Sequence, residues 1–292
     1  MEDTPRGVLM KLVICGDSWA WGAELLDPST GEKWGRNGIG HDHHFIPIHK
    51  EFRETHRYSY LLQQKLQADE VVDLSFCSIS NDYIMRTLMD WLASEGYLQG
   101  RDASDLLISI GWTSPERTEF YYKSKWGDTN WAPFGPWQMD MAYAPYKAEP
   151  GESSDLFEFF RLYFEYFCHK TEYMHRWARQ VWMMQFILKK LNIRYVMHQA
   201  FYHEYSLSSH QWNDVNYWDV NKLSPIDKFF WDDVDAKHFM FKNDTRFRTF
   251  QGYIKYRGVL KNQHVFEEFH PNALGHEIWA NKMYDYIKDN IL

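Results

Sequence analysis

Two short stretches at opposite ends of the chain carry residue types that work together on an acyl group. Near the start, Leu12-Val13-Ile14-Cys15-Gly16-Asp17-Ser18-Trp19 delivers a serine at the end of an apolar run. Near the other end, His270-Pro271-Asn272-Ala273-Leu274-Gly275-His276 presents a histidine just ahead of a helical pattern. A serine hydroxyl is a poor nucleophile at neutral pH, so acyl transfer needs a base within hydrogen-bond reach, a group orienting that base, and donors for the developing oxyanion. Ser18, on a strand-to-helix turn, exposes its oxygen and supplies its own N–H as one donor. His270 is the base, because Pro271 sets the turn before a helix expected to begin near Ala273 or Leu274. Glu267, three residues earlier, is the expected orienting carboxylate, with Glu268 and Asp17 as alternatives. Gly-Asp-Ser alone is a frequent turn tripeptide, and a histidine before proline is an ordinary helix lead-in; their order and surroundings favour the chemical reading.

The elements that must position these residues read as α/β. Lys11 to Cys15, Val71 to Phe76, Leu106 to Ile110 and Ile193 to His198 are short β-rich apolar runs ending in turn chemistry, the pattern of buried parallel strands. Helical spacing lies between them, at Tyr58, Leu61, Leu62 and Leu66, and again at Ile84, Leu88, Trp91 and Leu92. Alternating strand and helix predicts a doubly wound parallel sheet with its ligand site beyond the carboxyl ends of the strands. Ser18, Ser78 and Thr113 each fall just after a predicted strand.

Large aromatic-rich insertions, about 115–192 and 201–265, interrupt this pattern in what reads as a single domain over 1–292. Pro115 to Gly151 is rich in Trp, Pro, Gly and Tyr, and long for a connection inside a compact domain. Ser153 or Ser154 is placed to cap a helix carrying Leu156, Phe159, Phe160, Tyr163, Phe164 and Phe167. Trp177, Val181, Met184, Leu188 and Leu191 continue with helical spacing. Core-packing helices are expected there, with a mobile lid as the sharper alternative.

Composition narrows the partners. A chain of 292 residues with 45% apolar content builds a sizeable core. With 32 basic against 40 acidic residues, its net charge of −8 offers no counter-charge to a phosphate backbone, so no nucleic-acid partner is expected. Cys15, Cys77 and Cys168 form neither a disulfide framework nor a paired metal-ligand spacing. No apolar stretch is long enough to span a bilayer, and Met1 to Arg6 lead into a strand without a signal-peptide pattern, so no membrane partner and a cytoplasmic location are expected. The cluster His41-Asp42-His43-His44, with His49 and His56, reads as a solvated loop more than a metal site, because neighbouring residues in one loop seldom converge on an ion. No cofactor is expected, and the oligomeric state is open.

In four segments the chain resembles the SGNH hydrolases, the GDSL-like esterase and lipase superfamily. Gly16-Asp17-Ser18 resembles the first block, with Ser18 at the nucleophile position. Asp73-Leu74-Ser75-Phe76-Cys77-Ser78-Ile79-Ser80-Asn81-Asp82 resembles the second, with Ser78 where the family has the glycine whose N–H enters the oxyanion hole. Ile110-Gly111-Trp112-Thr113-Ser114 resembles the third, with Thr113 in place of the family's asparagine donor. Glu267-Glu268-Phe269-His270-Pro271 resembles the last, an Asp-x-x-His block with Glu267 for the aspartate. The resemblance covers roughly the first 114 and last 30 residues. It implies a flavodoxin-like doubly wound sheet, the triad Ser18, His270 and Glu267, and an oxyanion hole of Ser18, Ser78 and Thr113, with Asp17, Asn81 and Arg117 as supporting residues. Serine for glycine is strained if the turn needs positive φ, and threonine for asparagine shortens a donor.

The expected activity is hydrolysis of a carboxylic ester on a small molecule or glycan, such as an O-acetyl group on a carbohydrate, through an acyl-serine intermediate. Trp126, Trp131 and Trp137 suit sugar stacking. Arg117 is weighed both as an ion-pair partner of Glu119 and as a contact to substrate, and His276 as packing or second support. The rival reading is a non-catalytic glycan- or protein-binding module on the same fold, favoured by Thr113 and opposed by the coexistence of Ser18 and His270. A nucleotide-binding α/β protein is disfavoured, because neither Gly-x-Gly-x-x-Gly nor a phosphate-loop Gly-Lys-Ser/Thr is present.

Overall fold

The computed structural model describes residues 10–32, 46–123, 129–134, 162, 163, 166, 170–201, 224–244, 249–267 and 270–292. Its described strands are β1 (Lys11–Gly16), β2 (Glu70–Asp73), β3 (Leu106–Trp112), β4 (Thr118–Lys123), β5 (Thr129–Phe134) and β6 (Arg194–Gln199). Four of them form one sheet in the order β2-β1-β3-β6 with every neighbour parallel. The protein is thus a mixed α/β structure on a parallel sheet. A single parallel bridge between Met197 and Phe239 extends it beyond β6. Strands β4 and β5 make a separate antiparallel pair.

Both faces of the parallel sheet are covered, which explains why its strands are apolar throughout. The helices are α1 (Ser18–Trp21), α2 (Pro47–His56), α3 (Tyr58–Leu66), α4 (Asn81–Ser94), α5 (Lys170–Lys190), α6 (Pro225–Asp233), α7 (Phe250–Lys261) and α8 (Ala273–Asn290). Val13, Cys15, Ile108 and Ile110 face Ile84, Leu88 and Leu92 of α4 and Trp177, Val181 and Leu188 of α5. The alternate residues Leu12, Ile14 and Leu107 face Leu62 of α3, Ile254 of α7, and Trp279 and Met283 of α8. Period-2 alternation along each strand therefore feeds two cores at once.

The structure departs from the sequence reading at several points. The second strand was expected over Val71 to Phe76, but its ladder ends at Asp73. The carboxylate of Asp73 captures the N–H of Ser75 at 2.8 Å and turns the chain, while Leu74 and Phe76 still donate to Ile14 and Gly16 of β1. The segment 201–265 contains α6 and α7, whose periodicity is blurred because Phe229, Tyr256, Val259 and Leu260 face outward. The helix opened by Ser153 or Ser154, the cluster His41 to His44, Trp126, Trp137 and the Trp131 side chain lie outside the described residues. Among the described residues no helix is long and apolar enough to cross a membrane, and no group of three or more His, Cys, Asp or Glu is placed to hold a metal ion.

Candidate active site

The sheet places Ser18 at the carboxyl end of β1, beside the switch point where the chain leaves β1 for β2 on one side and runs to β3 on the other. Asp17 caps α1, accepting the Trp19 N–H at 3.0 Å, so the serine opens the first turn of a helix. That helix lasts one turn. Gly22 ends it at φ 81°, where a side chain would be strained and would also meet Leu25 and Arg53.

His270 arrives from the other end of the chain in a tight turn. Glu267 N–H donates to His270 O at 2.8 Å, Asn272 N–H donates to Val265 O at 3.0 Å, and Asn272 then caps α8 through Gly275 N–H at 3.0 Å. This turn sets the ring so that His270 Nε2 lies 2.8 Å from Ser18 Oγ. The opposite ring nitrogen, Nδ1, lies 2.8 Å from Oε1 of Glu24, although off the line of an ideal ring N–H bond. Glu24 Oε2 also accepts the His270 backbone N–H at 3.2 Å, so one carboxylate holds both the ring and the main chain of the histidine.

Glu24 replaces Glu267 as the carboxylate beside the imidazole. The 267–270 turn is closed by backbone atoms and leaves Glu267 exposed, whereas Glu24 is buried, with only 1% of its surface accessible. Nothing in local spacing singled Glu24 out, because it reaches a partner 246 positions away. Its backbone carries the one local signal, φ 66° in a non-glycine residue, of the kind that persists where surrounding contacts demand it.

Thr113 does not offer a donor to the site. Its hydroxyl donates to Asp17 Oδ2 at 2.5 Å and its N–H to Asn81 Oδ1 at 2.9 Å, so both of its hydrogens are already committed. Asn81 in turn donates to Thr113 O and Ser114 O, and Gln199 donates to Thr113 O at 2.7 Å. Asn81 is therefore a clamp on the end of β3. Ser78 sits at φ 59°, in the left-handed region that favours glycine. Phe76 N–H donates to Gly16 O at 3.1 Å, which lays the Phe76–Ile79 turn alongside the Ser18 turn.

Arg117 and Glu119 do not pair with each other. Glu119 takes a bidentate contact from Arg86, both bonds at 3.1 Å, while Arg117 turns inward to Ile79 O at 3.1 Å and toward Asp17 Oδ2 at 3.7 Å. Burial pushes the Arg117 guanidinium down to about 10 despite Asp17 and Glu116 nearby. The same burial pushes the carboxyl of its neighbour Glu116 up to about 8, against a Ser114 hydrogen bond and the charge of Arg117. With 4% of its surface exposed, Arg117 is buried in the wall formed by the Ile79 and Asp17 turns. His276 is buried in packing, its Nδ1 accepting from Tyr58 N–H at 3.3 Å, and desolvation pushes it down to about 3. His49 accepts from Asp27 N–H and meets Glu32 at 2.5 Å, away from any metal-binding group among the described residues.

One turn beyond Ser18, the Trp21 ring has the Arg53 guanidinium carbon 4.0 Å from its centroid and the Phe76 ring centroid at 5.7 Å. The Phe76 side is half exposed. Ser18 is held beneath by Trp19, which packs on Phe201, Phe250 and Phe266.

Residues 40–292 match the model of a family of unknown function, DUF6071. Ser18 and Glu24 precede that span and His270 falls within it. No curated protein matches the chain. Among solved structures it is similar to the psychrotrophic esterase EstA from a Pseudoalteromonas species, at 13% identity and a TM-score of 0.44, over 96% of this chain and 97% of that one. It is also similar to the lipase Lip_vut3 from a goat rumen metagenome, at 12% identity and a TM-score of 0.38, over 95% of this chain and 97% of that one.

Proposed function

The chain belongs to the DUF6071 family, and we propose that this member is a serine ester hydrolase of the SGNH type working through an acyl-serine intermediate. One observation carries the reading: His270 lies between Ser18 and the buried Glu24, with Nε2 2.8 Å from Ser18 Oγ and Nδ1 2.8 Å from Glu24 Oε1, the order of nucleophile, base and orienting carboxylate that acyl transfer requires. The order β2-β1-β3-β6 of the parallel sheet supports the flavodoxin-like arrangement of that type.

His270 Nε2 takes the proton of Ser18 as its oxygen attacks the ester carbonyl. Glu24 holds the ring with Nε2 facing the serine and stabilises the imidazolium that forms. The oxyanion is held by the backbone N–H groups of Ser18 and Ser78, neither of which has an acceptor among the described residues. His270 returns its proton to the leaving alcohol, then activates the water that releases the acid. Thr113, Asn81 and Asp17 fasten the loops around this centre without touching the oxyanion. The substrate we favour is a short acyl ester, an O-acetyl group on a carbohydrate, with the Phe76 and Trp21 rings as a stacking platform.

The test is hydrolysis of p-nitrophenyl acetate, butyrate and octanoate by the wild type and by Ser18→Ala, both shown to be folded by circular dichroism. Turnover that falls to the uncatalysed background in Ser18→Ala, with acetate the best substrate, is the expected result. Activity surviving the substitution rules the mechanism out.

A further inference from the structure

We propose that Arg117 is a positioning residue that ties the nucleophile turn to the oxyanion turn; this rests on the esterase reading. Its Nη1 lies 3.1 Å from Ile79 O and 3.7 Å from Asp17 Oδ2. Asp17 immediately precedes Ser18, and Ile79 immediately follows Ser78. One nitrogen therefore spans the neighbours of the two residues whose N–H groups face the oxyanion.

The Arg117 main chain is itself held, and an aromatic ring packs on its guanidinium. Arg176 of α5 donates to Pro115 O at 3.0 Å and to Arg117 O at 3.2 Å, Arg117 N–H donates to Ser114 O, and the Phe201 ring lies 5.2 Å from the guanidinium carbon. Asp17 has no surface exposed and already accepts from Trp19 N–H and Thr113 Oγ. A carboxylate buried so completely needs a cation nearby, and Arg117 supplies it. Removing Arg117 thus releases the oxyanion turn from the nucleophile turn and leaves Asp17 unbalanced. Donor spacing matters most when the carbonyl oxygen carries charge, so the loss belongs to the transition state more than to substrate binding.

Arg117→Gln removes the charge and Arg117→Lys keeps it with a shorter reach. Each is assayed for kcat and KM on p-nitrophenyl acetate and for inhibition by phenylboronic acid, whose tetrahedral serine adduct places an oxygen in the oxyanion hole. Arg117→Gln is expected to lose about 100-fold in kcat, with KM within about twofold and boronate affinity reduced in parallel, the scale of one lost oxyanion donor. Arg117→Lys is expected to recover part of it, with a loss of about tenfold. Should Arg117→Gln fail to fold, Arg117→Lys decides alone. Wild-type kcat in either folded variant, or a loss carried wholly by KM, overturns the role of Arg117 and leaves the esterase intact. A wild type as inert as Ser18→Ala overturns both.

Discussion

At the scale of single residues, the contrast between Glu24 and Glu267 bears most directly on mechanism. Both carboxylates belong to the region around His270, but only Glu24 touches the ring, and it does so while buried. Glu24→Gln keeps the shape and removes the negative charge beside the His270 ring. We expect kcat for p-nitrophenyl acetate to drop on the order of 10,000-fold, as when the orienting carboxylate of a triad is neutralised, while Glu267→Gln stays within about twofold of wild type. Equal losses in the two variants would return the orienting role to the 267–270 turn. Ser18 and His270 were legible in the sequence because each sits at a boundary that local chemistry marks, an apolar strand meeting Gly-Asp and a proline before a helix. Glu24 was not, because its partner lies at the far end of the chain and no local pattern encodes that contact. Thr113 was legible as a position and illegible as a role: its hydroxyl is turned to Asp17 by a buried contact that only the tertiary structure sets.

At the scale of elements, the site depends on how closely α8 approaches the turn that carries His270. Gly275, in the first turn of α8, lies where an added Cβ would sit 2.4 Å from Val265 O and 3.0 Å from Pro271 Cβ. Backbone carbonyls do not give way as side chains do, so the helix would have to slide off the 265–271 segment. Gly275→Ala is therefore expected to destabilise the protein by about 1–3 kcal/mol in urea unfolding and to lower kcat by displacing His270, although alanine is the better helix former. A Gly275→Ala variant at or above wild-type stability would show that this packing gives freely. The four strands of the parallel sheet were readable because both of its faces are apolar, whereas the antiparallel pair β4 and β5 lies in the stretch read as an insertion and was not. Helices α3, α4 and α5 followed from their spacing, since each shows one coherent apolar face, and the start of α8 followed from the Pro271 turn. Helix α7 escaped because Tyr256, Val259 and Leu260 are exposed and spread apolar residues around the whole helix, which erases the signal that periodicity depends on.

At the scale of the whole molecule, the buried ionisable groups set how stability varies with pH. Burial holds His198 and His276 neutral in the folded protein, pushing both down to about 3 from 6.5. The unfolded chain takes up their protons as pH falls below about 6.5 and the folded chain does not, so each contributes stability that is complete above that pH and lost beneath it, at up to about 1.4 kcal/mol per pH unit. Glu116 has the opposite sign. Burial keeps it protonated up to about 8 against 4.5 when unfolded, so its contribution is complete below 4.5 and drains away as pH rises through that window. Between 4.5 and 6.5 the two histidines outweigh the one carboxyl. Above 6.5 the histidine contribution is complete and no longer changes with pH, while that of Glu116 slopes downward. Urea unfolding across pH 5 to 8 is expected to give maximal stability near pH 6.5 and a decline of about 2 kcal/mol by pH 8. Glu116→Gln, which mimics the neutral acid, should flatten the alkaline limb and leave the acid limb unchanged. If the variant retains the full alkaline decline, the buried proton is not on Glu116, and the carboxylate is instead held ionised by Arg117 beside it.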